Sequence, residues 1–294
     1  MKVVLFWSEY GGETILSEWL KREVYLSPSQ LLTIQSHNKF GSEFELYSYQ
    51  KIKNFSKTRD ANDILPARIA FQMLVNGHSI AHISDYVRMT VSARDSGIVM
   101  DLDTIILREL PNESFYTSIP ARTTGAFAVK FNAPPHLPLY VADGSWDGKA
   151  LANFPMGVDS KNSRYVKRLA EKTYGFLMKP PKKTSAGWNF VMWQLGKMTY
   201  YDRAIKTYAP LYFGVVPGWL GKKKCYSIQS PTKFDGKTEL FGYRFPSIDE
   251  ILSNSYAVQH YYESAFKGST KLAFNFEDLP KDCLLYNEYK YINS

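Results

Sequence analysis

Cysteine is nearly absent from this 294-residue chain: Cys225 and Cys283 are its only two. A pair so far apart offers neither a disulfide framework nor a metal-ligand cluster, and the setting expected from it is the cytoplasm, with the periphery of a membrane as a second possibility. Equally missing is any uninterrupted apolar run approaching the roughly 18–20 residues that a transmembrane helix needs. The opening, MKVVLFWSEY, has one lysine and an apolar run too short for the core of a secretory signal, so a first strand is expected there instead. No repeat, low-complexity tract or linker breaks the chain. Gly11–Gly12 is not followed by G-x-x-x-x-G-K-[ST], which excludes a phosphate-binding P-loop.

What is present is a globular composition, 45% hydrophobic and 15% aromatic, which excludes a disordered chain. The formal charge is +8, from 36 basic and 28 acidic residues. That balance favours polyanionic partners: nucleotide phosphates, nucleic acid or an anionic membrane surface. The basic residues gather in small groups, among them Lys179, Lys182 and Lys183, and Lys222, Lys223 and Lys224. Solvated loops also produce such groups.

Strand and helix patterns alternate along the first third. KVVLFW (2–7) reads as a strand closed by SEYGG. Ser27 followed by Pro28 is a helix start, with the helix expected to run to about His37 and to stop before Gly41. FELYSY (44–49) is a second strand. A long amphipathic pattern from about Ser79 to Arg94 places Ile80, Ile83, Val87 and Val91 on one stripe, and Gly97 opens the strand GIVM. Further on, TGAFAVKF (from Thr124) reads as a strand, RYVKRLAEKTYGF as a helix ending near Gly175, and GWNFVMWQLGKM as a helix against the sheet. Lys206–Phe245 reads as loops and short strands. The fold class is therefore α/β, with a mostly parallel sheet flanked by helices.

Asp101 and Asp103 follow GIVM directly, inside ARDSGIVMDLDTIIL. Ligands of such sheets sit beyond the carboxyl ends of the strands, and apolar residues on both sides pull this acidic pair toward the core. If the extended conformation continued, both carboxylates would face one side and repel each other. A divalent cation shared with phosphate oxygens would relieve that repulsion. Upstream, HISDYVRM sets Asp85 and Arg88 at i and i+3 on one helix face. Taken alone, that pair reads as a surface ion pair of little worth.

Together, the S-D-x-x-R helix, the glycine-led strand and the D-x-D resemble the sugar-binding region of the DXD glycosyltransferases of the GT-A fold. The groups in view are family 32 and the neighbouring α-1,4-glycosyltransferase and capsular-polysaccharide enzymes. LYSYQKI with RDANDILP, ALANFPMGVDSKNSRYVKRL and YAVQHYYESAF resemble further family segments, so the likeness covers about residues 1–170 and 250–270. It implies a single domain over 1–294, with a nucleotide-sugar half (1–110) and an acceptor half with a C-terminal lid (111–294). The resemblance implies Asp103 as ligand of Mn²⁺ or Mg²⁺, with Asp101 on the ribose or sugar and reaching the metal directly or through water. It implies Asp85 and Arg88 on donor hydroxyls, Trp7 beside the base, His260 as a C-terminal metal or phosphate ligand, and Ser264 in the lid. Departures are Ser96–Gly97 for the family's glycine pair, Met100 for its aromatic residue, and Ala265 or Phe266 for its C-terminal tryptophan.

The implied activity is transfer of a sugar from a nucleotide-sugar, a UDP-sugar favoured, to an acceptor hydroxyl with retention of configuration. No residue declares itself as nucleophile or base. The acceptor is either a glycan or a hydroxymethylated DNA base, and Trp219 beside Lys222 and Lys223 is a candidate for contacting it. A non-catalytic sugar- or nucleic-acid-binding protein on the same fold is the alternative. Zinc at His78 and His82 is disfavoured, because the intervening glutamate and a third ligand are both missing. Trp188 and Trp193 read as core.

Overall fold

A computed structural model describes residues 1–113, 115–118, 156–179, 206–208, 213, 234–240, 243–260 and 274–294. TGAFAVKF, GWNFVMWQLGKM, Pro180–Pro181, Trp219, Lys222, Lys223 and Ser264 lie outside them, as do Ala265 and Phe266.

Four parallel strands form the heart of the sheet: β1 (Lys2–Phe6), β2 (Phe44–Ser48), β3 (Thr58–Asp60) and β4 (Gly97–Val99). With β5 (Thr104–Ile106) pairing elsewhere, the sheet goes on through β6 (Phe115–Ser118), β7 (Met156–Val158) and β8 (Lys206–Tyr208). The order is β3-β2-β1-β4-β7-β6-β8, and β7 runs antiparallel to both of its neighbours. The sheet is thus mixed and mostly parallel, as expected.

β1 is apolar throughout because both of its faces are covered. Val3 and Leu5 point into one cluster with Leu46, Ile98 and Ile34; Val4 and Phe6 point into another with Trp19, Met73, Ile83 and Val87. The first side is closed by α2 (Pro28–Lys39), whose N-cap Ser27 forms a reciprocal capping box with Gln30. The second is closed by α1 (Leu16–Lys21), α3 (Ala67–Val75) and α4 (Ile80–Asp95). α1 and α3 had no clear sequence signal, being short and apolar without strong caps; neither N-cap side chain makes a capping bond.

The helix α5 (Ser163–Leu177) continues past Gly175, two residues beyond the expected end, because its apolar stripe still has α4 to cover at Leu177. His78 precedes α4 rather than belonging to it, so it and His82 are not one helical turn apart on a shared helix. α4 ends at Ser96, which takes the left-handed conformation (φ 59°) where glycine is usual. Glycine is needed one position later: a Cβ on Gly97 would sit 3.0 Å from the Lys2 carbonyl oxygen and 3.2 Å from Val4 Cγ2.

The C-terminal part adds an antiparallel pair, β9 (Glu239–Leu240) and β10 (Tyr243–Arg244), then α6 (Ile248–Asn254), β11 (Ala257–Gln259) and α7 (Leu284–Asn293). β11 pairs antiparallel with β5, Gln259 opposite Thr104. Among the described residues no helix is long and apolar enough to cross a membrane.

His37, on α2, is fully buried, its ring nitrogens have no hydrogen-bond partner among the described residues, and its ring lies 5.4 Å from that of Phe44. Burial pushes its imidazole from 6.5 down to about 3. The unfolded chain therefore takes up a proton at a higher pH than the folded one does. Stability from this group is complete above about pH 6.5 and falls as pH drops toward 3. At pH 5 the loss should be about 2 kcal/mol. Chemical denaturation at pH 7 and pH 5 should show it in the native protein, and His37→Phe should lack it.

Candidate functional site

β1 is the point where the chain changes direction in the sheet: β2 and β3 extend to one side of it, and β4 returns on the other. In open α/β sheets the crevice at such a switch point, beyond the strands' carboxyl ends, is where ligands bind. The register Val4↔Val99 brings Trp7 and Asp101 to that same edge. There Ser8 Oγ accepts the Tyr49 N–H at 2.9 Å, and the Gln50 side chain bonds both the N–H (2.8 Å) and the carbonyl (3.0 Å) of Glu9. The segment leaving β1 is thereby fastened to the end of β2.

Asp101, Leu102 and Asp103 do not continue β4. The Asp101 carbonyl accepts the Thr104 N–H at 3.1 Å, so the D-x-D is a turn from β4 into β5. This corrects the expectation that the extended backbone of β4 continues through Asp103. The turn also reverses the chain: β4 stays in the main sheet, whereas β5 leaves it to pair with β11.

Asp85 and Arg88 prove to be an interior pair and not a surface one. They are 5% and 2% exposed, and Arg88 Nη2 donates to Asp85 Oδ1 at 2.8 Å. Arg88 Nη1 is in ion-pair contact with Asp101 Oδ1. One guanidinium thus bridges a helix carboxylate and the first carboxylate of the D-x-D, a task its planar fork suits. The second Asp101 oxygen accepts the Gln259 amide at 2.8 Å. Of this trio only Asp101, with a quarter of its side chain exposed, opens toward the surface; Asp103 is half-buried beside it.

The C-terminal segment closes on the turn from behind. His260 N–H donates to the Asp103 carbonyl at 2.9 Å, extending the β5–β11 ladder by one residue. The His260 imidazole Nε2 lies 2.6 Å from Glu288 Oε2 on α7, and both side chains are wholly buried. Burial raises the Glu288 carboxyl above its usual range, opposed by the neighbouring histidine. His260 therefore meets the D-x-D through its backbone, and its ring ties the turn to the C-terminal helix.

Trp7 is half-buried at this edge of the sheet. Its backbone N–H bonds the Tyr47 carbonyl at 2.9 Å, and its indole Nε1–H is buried without a hydrogen-bond partner among the described residues. The structure thus brings together Asp85, Arg88, Asp101, Asp103 and His260, and sets Trp7 on the same edge. His78 is used elsewhere: its Nε2 lies 2.7 Å from the Lys179 carbonyl oxygen, and its ring meets Phe176 edge-on.

Gln259 and Glu288 were missed from the sequence. Glu288 did leave a signal, because it falls on the apolar stripe of Leu284, Leu285 and Ile292, where a carboxylate needs a buried partner. Gln259 left none.

Among the described residues no three or more His, Cys, Asp or Glu side chains are grouped to hold a metal ion. The donor set that exists is two carboxylates in one turn. It suits Mg²⁺ or Mn²⁺, hard cations that take one or two carboxylates and complete their shell with phosphate oxygens and water.

No family model matches the chain, and no curated protein matches it. Among solved structures it is similar to the PaToxG glycosyltransferase, at 13% identity over 68% of this chain and 69% of that one, with a TM-score of 0.40. It is similar to mouse xyloside xylosyltransferase 1 in its apo form, at 8% identity over 90% and 99%, TM-score 0.41. It is also similar to the apo-form glycosyltransferase GlyE of Streptococcus pneumoniae, at 12% identity over 93% of this chain and 60% of that one, TM-score 0.39. At such scores no residue role passes from these proteins to this chain.

Removing one member of a buried hydrogen-bonded pair leaves the other's polar group unsatisfied. Glu288→Ala should lower unfolding free energy by about 2–3 kcal/mol. Glu288→Gln, which can still hydrogen-bond the imidazole, should cost about 1 kcal/mol. Urea denaturation of the two variants, compared with the native chain, measures both.

Proposed function

We propose that this chain is a metal-dependent glycosyltransferase that moves a sugar from a nucleotide-sugar, a UDP-sugar favoured, to an acceptor hydroxyl. The observation that carries this reading is the Arg88 bridge. It holds Asp101 beyond the carboxyl end of β4 at the switch point of the sheet, in one turn with Asp103 and at the edge that also carries Trp7.

Asp103 is the proposed metal ligand, with Asp101 reaching the metal or the ribose. When bound, Mg²⁺ or Mn²⁺ would supply charge neutralisation on the leaving diphosphate. The protein's own residues have separate tasks. Arg88 and Gln259 each take one oxygen of Asp101, which fixes the plane of its carboxylate before substrate arrives. Asp85 and Arg88, expected at the donor hydroxyls, are proposed to act on the sugar through Asp101, since both are buried beneath it. Trp7, half-buried at the same edge, is proposed to offer its aromatic side to the base. His260, expected as a metal or phosphate ligand, is proposed to hold the Asp103 backbone in place from behind.

Retention of configuration and the nature of the acceptor, a glycan or a modified DNA base, belong to the resemblance. A paired-carboxylate hydrolase fits the site less well, because its acid and base must stand across a cleft from each other. Here Asp101 and Asp103 share a single turn.

Incubation with a panel of UDP- and GDP-sugars plus Mn²⁺ should release nucleotide from one of them. Asp103→Ala should abolish release, by at least about 10³-fold, with an unchanged unfolding midpoint, and a chelator should do the same to the native chain. Chelator-insensitive release, or full activity of Asp103→Ala, would sink the assignment.

A further inference from the structure

The helix α5 presents two unlike faces. Val166, Leu169, Ala170, Thr173 and Leu177 are buried, and the helix lies along α4. The other face is cationic. Residues 161–179 carry Lys161, Arg164, Lys167, Arg168, Lys172 and Lys179, all exposed, against a single acid, Glu171. Arg164, Lys167, Arg168 and Lys172 lie on the helix itself and fall within an arc of about 140° along about 12 Å, with Lys161 and Lys179 flanking its two ends. Glu171 lies within the same arc, four residues from Lys167, so the helix face carries four cations and one acid.

The stripe ends at an apolar corner. His78 Nε2, 2.7 Å from the Lys179 carbonyl oxygen, ties the end of α5 to the turn between α3 and α4. Close to that bond on either chain segment, Met178 is 59% exposed and Val75 48%. The corner stands at the sheet edge that carries the site, since α4 begins there and bears Asp85 and Arg88 in its first half.

We propose that the cationic face of α5 and this corner form a docking surface for an anionic lipid bilayer. Headgroup phosphates match the lysines and arginines, and the two apolar tips reach the boundary of the acyl chains. A nucleic-acid duplex would match the charges but would gain nothing from Met178 and Val75. With its apolar face already against α4, α5 lies on the bilayer surface and does not sink into it. Docking brings the sheet edge bearing Asp101 toward the membrane, where an acceptor carried on lipid would be presented. The binding itself does not depend on the donor chemistry proposed above.

Sedimentation of the whole chain with phosphatidylcholine vesicles, with and without phosphatidylglycerol, tests this. Binding is expected only with the anionic lipid, and should weaken as salt rises. Arg164→Glu/Arg168→Glu should reduce it about tenfold or more, and Val75→Ser/Met178→Ser should reduce it several-fold at constant salt. All four positions are exposed, and circular dichroism verifies that both variants remain folded. Absence of binding to anionic vesicles, equal binding to neutral ones, or indifference to the charge reversal overturns the proposal. So does duplex DNA binding that requires Arg164 and Arg168 while the apolar variant binds vesicles normally, which would give the face to nucleic acid.

Discussion

A guanidinium buried to 2% exposure is tolerable only where its charge is answered on the spot, and in this protein two aspartates answer it. Asp85 comes from the same helix as Arg88, so that half of the bridge forms with the helix itself. Asp101 comes from the turn just after β4, so the other half fixes how α4 lies over the end of that strand. The left-handed turn at Ser96 and the bare Cα of Gly97 make that approach possible: the chain must reverse within two residues and pass against the Lys2 carbonyl. Replacing the bridge with apolar groups could preserve stability. It could not preserve a carboxylate held partly open at the end of β4.

The second half of the site is brought from the far end of the sequence. β11 pairs with β5 and thereby delivers Gln259 to Asp101 and the His260 backbone to Asp103. Behind them the His260–Glu288 contact anchors the arrangement to α7 in a cluster of Leu284, Leu285, Ile105 and Val258. The acidic turn is therefore gripped from two sides, by the helix before it and by the strand and helix that end the described chain. A rigid turn of this kind can present oxygens to a cation and a diphosphate without paying for their ordering on binding.

Much of this was legible in the residues. The apolar run of β1, the Ser27–Pro28 start, the glycine-led β4 and the long stripe of α4 follow from local periodicity and capping, which act over a few residues and leave a local trace. The acidic pair at the end of β4 was legible for the same reason. The short helices α1 and α3 were not, since too few turns are present for a periodic signal to rise above its surroundings.

The sequence by itself determined which groups are available: an i, i+3 aspartate–arginine pair, two aspartates two residues apart, a tryptophan at the end of the first strand and four cations on one helix with one more flanking each end. Only the tertiary structure decided their roles. It turned Arg88 inward to join Asp85 to Asp101, bent the D-x-D out of the strand, and gave the His260 ring to Glu288. The reason is that pairing between residues far apart in the chain depends on which surfaces the core brings together, and one-dimensional spacing carries no record of that.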